Sequence, residues 1–441
     1  MTTRFLASEH GARLDTDLRQ GGGTDDTAAL QALLDRARDD GGAHIVIDGP
    51  ALVSGLEVYS DTTIEGTPGA GLRLADDSNR AILRNAHRTR ETVVDENITV
   101  RGLTFWGNRD HQLEPWRGAL IPGEAGIIRK EEGIVQMEQD RTWKSPVQFL
   151  GVRNLVVDDV EIWDGRAYAL WLANVSHVTV TGLRIDVNTG PYPTGAPFEE
   201  QQAFIRAVPP NADGIHINGP ADHVLIDGAR IYVWDDAVSL CANDCWVADL
   251  TVDDLTGPYV GQGPITDVTV RNIHLDRPSQ GVRILSADQR IDRVVVENVF
   301  GSVRMRSVVI SHYAIPEKGT CGSILFRNIR LASEPSPTLR EVYPAAFGPL
   351  GPPSYQEEAD SAFFALNTEV EELRLEGVSL SATEDRPVLL IGPDARIGSL
   401  HASIEIEGSD SRTPRIEMYD GASVADLSLH IQSKGSRDAD E

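Results

Sequence analysis

Short runs of β-branched residues alternate with polar ones along most of the chain, and each run closes on a turn residue such as Gly or Asn. Asn97-Ile-Thr-Val-Arg-Gly-Leu-Thr-Phe, Asn154-Leu-Val-Val-Asp-Asp-Val-Glu-Ile, His177-Val-Thr-Val-Thr-Gly-Leu-Arg-Ile and His223-Val-Leu-Ile-Asp-Gly-Ala-Arg-Ile follow one pattern. The series continues through Asp267, Arg293, Ser323 and Glu372. Alternation at period two marks strands with one buried face. The first apolar residues of successive runs, Leu155, Val178, Val224, Val247, Val268, Val294 and Ile324, stand 23, 46, 23, 21, 26 and 30 residues apart. A strand repeat of that length without a helix predicts an all-β fold, a right-handed parallel β-helix in which each coil buries its apolar face only by stacking on its neighbours. Propeller blades need about 40 residues or more, and sandwiches need hairpin turns, whereas Asn-Gly occurs here only at Asn218-Gly219.

The 46-residue interval holds one coil plus a Pro/Gly-rich insertion at 188–210, and further inserted loops are expected at 105–144 and 334–363. An uncovered first coil would be an exposed sheet edge. Residues 25–38, with an acidic start and an apolar period of 3.6, predict an amphipathic helix that caps it. The expected organisation is a single β-helix domain over 1–432 with a disordered polar tail at 433–441.

Equal offsets from the phase markers stack residues in one ladder, about 4.7–4.9 Å per coil. Eleven positions before the markers stand Ala167, Asp213, Asp236, Gly257, Arg283 and Tyr313, with Asp235 beside Asp236. Stacked carboxylates repel, which raises at least one pKa and leaves a general acid beside ionised bases. That is the equipment for cleaving a glycosidic bond. Neighbours on a regular strand face opposite ways, so Asp235 and Asp236 share a groove only where the chain bends, and Gly214 suggests such a bend one coil earlier. His216, Gln262 and His312 are further candidates for the groove lining. Trp106, Trp116 and Trp143 fit either a sugar-stacking wall or an aromatic core beneath a long loop.

Composition narrows the class. With 40 Lys+Arg against 67 Asp+Glu the net charge is −27, which excludes a nucleic-acid binder that works by phosphate neutralisation and a basic membrane-surface protein. At 41% hydrophobic residues the chain can bury a large core. No apolar run approaches the ~18 residues of a membrane span, and the first ten residues hold no apolar signal core. A cytoplasmic protein is the expectation, or a secreted one if a leader was trimmed. Of the three cysteines, Cys241 and Cys245 read as packed thiols rather than a metal pair, and neither a metal nor any other cofactor is expected.

Four blocks resemble glycoside hydrolase family 28, the polygalacturonase family, within the pectate-lyase-like β-helix group. They are Asn211-Ala-Asp213-Gly-Ile-His-Ile, Trp234-Asp235-Asp236, Gly281-Val-Arg283-Ile-Leu and Val309-Ile-Ser-His312-Tyr313. The family's Gly-His-Gly has its nearest counterpart in Gly261-Gln262-Gly263, and Leu285 stands in place of a family lysine. The resemblance implies an inverting hydrolase of oligo- or polysaccharide, a pectin-like galacturonide or a related sugar. It implies Asp235 as general acid, Asp213 and Asp236 as the pair that activates water, and Arg283 and Tyr313 as substrate-binding residues. The insertions predict end-on cleavage, because they can wall off an open groove. Two alternatives stand beside this reading: a polysaccharide lyase of the same fold whose carboxylates hold Ca²⁺, and a carbohydrate-binding solenoid without catalysis.

Overall fold

The computed structural model describes residues 3–112, 145–187, 190, 193, 195–207, 213–242, 259–312, 319–334, 362–382, 386–407 and 416–434. Their strands form one sheet of 25 members wound as a right-handed parallel β-helix. Inward rows such as Val178, Val180, Val224, Ile226, Val268 and Val270 are buried throughout. Fully burying one such side chain contributes about 1.5–3 kcal/mol, and stacking supplies that burial coil after coil.

The register follows the phase markers with one exception. Leu155 pairs with Val178, Val178 with Val224, Val224 with Val268, Val268 with Val294 and Val294 with Ile324. The partner of Val224 is Val268, 44 residues on (268 − 224), where the markers expected Val247. Val247 itself lies outside the described residues. Apolar alternation is a local signal and does not say which neighbour a strand joins.

At one turn the ladder runs through Asn97, Asn154, His177, His223, Asp267 and Arg293, all with left-handed φ between 53° and 59°. Asn, Asp and His tolerate that region better than most residues. Side chains tie the coils together here: Asn97 Nδ2 donates to Asp61 Oδ1 at 2.8 Å, and Asn154 Nδ2 donates to Asn97 Oδ1 at 2.9 Å. Arg293 grips both oxygens of Asp267 at 2.6 and 2.7 Å.

The capping helix spans Thr27–Asp39 and turns Leu30, Leu33, Leu34 and Ala37 onto the first coils. Asp25 accepts from the Thr27 backbone N–H at 2.8 Å, while Asp26 receives the Arg13 and Leu14 N–H groups at 2.6 and 2.9 Å. Three expectations change. The 188–210 insertion carries a helix, Phe198–Ala207. Residues 105–112 belong to the solenoid, where Trp106 stacks on Trp163 with centroids 6.0 Å apart, so Trp106 is core and not a sugar wall. The last strand, Ser423–Lys434, carries regular structure two residues into the segment expected to be a tail. The remainder of that tail, 435–441, lies outside the described residues, as do Trp116, Trp143 and Cys245.

Candidate active site

One outer face of the solenoid is built by the starts of strands Leu170–Asp186 and Ile215–Tyr232 followed by Asp236–Cys241, Gln280–Leu285 and Arg306–Ser311. Register places Trp171, His216, Ser239, Arg283 and Val309 at one level across these coils. The residue level with Asp236 is Gln280, not Arg283 as offset counting expected. The turn from Leu285 to Ile291 is three residues longer than the equivalent turn from Asn218 to Ala221, (291 − 285) − (221 − 218), and the count slips by that amount. A register slip between Ala173 and Val175 likewise moves Ala167 one residue off the level of Asp213, and Gly257 and Tyr313 lie outside the described residues.

The three aspartates converge all the same. Each of Asp213, Asp235 and Asp236 offers a carboxylate oxygen, and these oxygens lie within 4.8 Å of one another. Asp235 sits in a bend at 234–235 just before its strand begins, which frees it from strand alternation. Ser279 Oγ donates to the Trp234 carbonyl, Arg304 donates to the same carbonyl at 3.2 Å, and the Arg304 guanidinium lies 3.4 Å from the Trp234 ring centroid. On the preceding coil Gly214 follows Asp213, and a Cβ there would stand 2.5 Å from the Ala237 carbonyl. Only glycine lets the two coils approach so closely beside Asp213.

Each carboxylate has its own support. Asp213 Oδ2 meets His216 Nδ1 at 2.6 Å, with both side chains 2% exposed. The His216 ring stacks on Tyr168 at 3.7 Å. Asp236 Oδ2 accepts from Arg283 Nη1 at 2.8 Å and from Ser239 Oγ at 3.2 Å. Gln280 Nε2 reaches Asp235 Oδ1 at 3.5 Å. The remaining Oδ1 atoms of Asp213 and Asp236 are buried without a hydrogen-bond partner among the described residues. Unpaired buried carboxylate oxygens are costly, and here they are lone pairs left available to a water, a substrate hydroxyl or a cation.

Charge crowding sets the protonation states. Burial, then the Asp236 charge, pushes Asp213 up to about 6 against the pull of His216. Burial, then Asp236 and Asp213, pushes Asp235 up to about 8 against Arg283 and Gln280. Burial alone would lower Arg283, but Asp236, Cys241 and Asp235 outweigh it and hold the guanidinium charged. At neutral pH the cluster therefore holds a protonated Asp235 beside an ionised Asp213. The same three carboxylates are also the cluster's inventory for a metal, and the Arg283 cation is already paired with Asp236.

The predicted binding residues fare differently. His216 and Arg283 are in the cluster, but as partners of Asp213 and Asp236. Gln262 is exposed between Gly261 and Gly263, which pack on Pro220, and it forms no hydrogen bond to the aspartates among the described residues. His312 is buried and meets Asp394 Oδ2 at 3.6 Å, on a later coil. Sequence reading missed Tyr168, Ser239, Ser279, Gln280 and Arg304. A signal existed for Ser239, since Asp236-x-x-Ser239 repeats the spacing of Asp213-x-x-His216.

The family model for glycosyl hydrolases family 28 matches residues 116–316, a segment that includes the three aspartates. This bears out the resemblance as that of a divergent, family 28-like chain. Among solved structures the chain is similar to the family 28 exopolygalacturonase of Yersinia enterocolitica, at 12% identity over 99% of this chain and 78% of that one with a TM-score of 0.60. The hyperthermoactive exopolygalacturonase of Thermotoga maritima is 15% identical over 92% of this chain and 87% of that one, with a TM-score of 0.57. The tailspike protein of E. coli bacteriophage HK620, solved with a pentasaccharide, is 12% identical over 98% of this chain and 67% of that one, with a TM-score of 0.56. At such identities the likeness is one of fold. No curated protein sequence matches the chain.

Proposed function

We propose that this family 28-like chain is a glycoside hydrolase of an oligo- or polysaccharide, with Asp235 as the general acid and Asp213 and Asp236 as the pair that activates water. The observation that carries the reading is the convergence of three carboxylates whose oxygens lie within 4.8 Å of one another, a crowding that raises Asp235 and Asp213. Glycosidic cleavage needs a proton for the leaving oxygen and a base for the water, both available at one pH. The unpaired Oδ1 atoms of Asp213 and Asp236 supply acceptors for that water. Arg283 fixes Asp236 through its 2.8 Å bond, and Ser239 holds the same oxygen. Incubation with a panel of uronate and neutral oligosaccharides, read as new reducing ends, tests the assignment.

Inversion at the anomeric carbon rests on the family resemblance. The spacing rule asks for carboxyl groups about 6.5–9.5 Å apart around an intervening water. The nearest oxygens here lie within 4.8 Å, shorter than that expectation. Proton NMR of the first-formed product anomer decides it.

End-on cleavage draws support from the insertion helix Phe198–Ala207, whose Phe204 packs on Trp234 at 4.8 Å, next to Asp235. The Yersinia and Thermotoga proteins are both exopolygalacturonases. A lyase that holds Ca²⁺ on the same oxygens is the second reading, favoured by the same unpaired Oδ1 atoms. Loss of activity in EDTA, recovery with calcium and an unsaturated product would establish it instead.

A further inference from the structure

His177 and His223 occupy equivalent turn positions on adjacent coils, since Ser176 pairs with Asp222 and Val178 with Val224 on either side. Their rings are parallel to within 4° with centroids 4.8 Å apart, the spacing of the strands themselves. Elsewhere along this turn the neighbouring side chains are joined by hydrogen bonds or an ion pair, as at Asn97–Asp61, Asn154–Asn97 and Arg293–Asp267. Between the two imidazoles there is ring stacking and no hydrogen bond. Both rings are exposed, so no desolvation argument explains the arrangement.

Asp222 supplies the missing part. Its Oδ2 lies 2.6 Å from His223 Nδ1, which places the ring proton on Nδ1 and leaves the Nε2 lone pair available. A carboxylate behind an imidazole is the usual outer-shell support of a metal-bound histidine. Histidine and carboxylate atoms of His177, Asp222 and His223 lie within 4.8 Å of one another. A tetrahedral ion with bonds of about 2.0–2.1 Å holds two nitrogens roughly 3.4 Å apart, so both rings must turn out of their parallel stack until their in-plane lone pairs converge, a rotamer change open to exposed side chains. The backbone under both residues is already positioned by the strands on either side, so little main-chain ordering remains to be done on binding.

We infer that His177 and His223 form a surface site for a divalent transition metal of the zinc, nickel and copper class, with the two imidazoles as ligands, Asp222 as the residue that orients His223, and water completing the shell. The ion would pin two consecutive coils together; it takes no part in the aspartate cluster. Imidazole ligands select this class over calcium and magnesium.

The test is calorimetric titration of the full chain with ZnCl₂ at pH 7.5, alongside His177→Asn, His223→Asn and Asp222→Asn. Asparagine is the turn's own residue at Asn97 and Asn154 and keeps the left-handed backbone, so the variants should fold. One zinc per chain is expected in the wild type. Each His→Asn change should weaken it at least tenfold, and Asp222→Asn should weaken it about tenfold. Copper bound by the wild type should show two nitrogen ligands by electron paramagnetic resonance. Failure of the wild type to bind zinc, or binding that survives both His→Asn changes, would overturn the inference.

Discussion

Replacing Asp235 with Asn separates two consequences of holding a carboxylate where its charge is unwelcome. Burial, then Asp236 and Asp213, raise this group from 3.8 to about 8 in the folded protein. A group whose folded pKa exceeds its unfolded one favours folding fully below pH 3.8, and the contribution is lost as the pH rises through 8. Each pKa unit is worth ~1.4 kcal/mol, so roughly four units set a ceiling of about 6 kcal/mol. Asp235 keeps some solvent contact, which discounts the figure to on the order of 2–4 kcal/mol at pH 8. Asn keeps the shape and cannot ionise. Asp235→Asn should therefore be the more stable protein at pH 8, with a gap that shrinks toward zero at pH 4. At ~2.1 cal/mol/K of unfolding entropy per residue, a chain this long shifts by roughly 1 °C per kcal/mol, so the expected rise in Tm is a few degrees. The same change should cost about 10²–10⁴-fold in kcat on a confirmed substrate with KM nearly unchanged, because the amide cannot protonate the leaving oxygen. Thermal melts from pH 4 to 9 and steady-state kinetics are the assays. A variant that melts below the wild type at pH 8, a gap that ignores pH, or near-full turnover would refute the reasoning.

Activity requires ionised Asp213 and protonated Asp235, so kcat/KM should rise through about pH 6, fall through about pH 8 and peak between; a profile flat across that range would contradict the assignment. Arg283→Ala leaves the Asp236 carboxylate, whose side chain is 1% exposed, without its cation. Chemical denaturation should report a loss of about 3–5 kcal/mol together with a fall in kcat. His216→Phe keeps a ring against Tyr168 but removes the hydrogen bond that lowers Asp213, so the acid limb of the pH profile should move to higher pH. Gly214→Ala drives a Cβ to 2.5 Å from the Ala237 carbonyl and should cost about 1–3 kcal/mol and misplace Asp213, visible as lower Tm and lower turnover.

The coil architecture was legible in the residues alone, because period-two alternation reports which residues face inward and the markers Leu155, Val178, Val224, Val268, Val294 and Ile324 do stack. It also pointed to Asp213, Asp235 and Asp236 together, since acids at matched places on consecutive coils must approach within a strand spacing. What it left undecided depends on quantities that periodicity does not encode. Which strand Val224 joins is settled by its pairing with Val268, and whether Arg283 is level with Asp236 is settled by the length of one turn. The bend that turns Asp235 into the cluster is held by Ser279, Arg304 and Trp234, which lie up to 70 residues apart along the chain. The raised pKa values of Asp213 and Asp235 come from burial and from charges brought within 4.8 Å. Neither exists until the coils stack, because an extended chain leaves every carboxylate in water and apart from its neighbours.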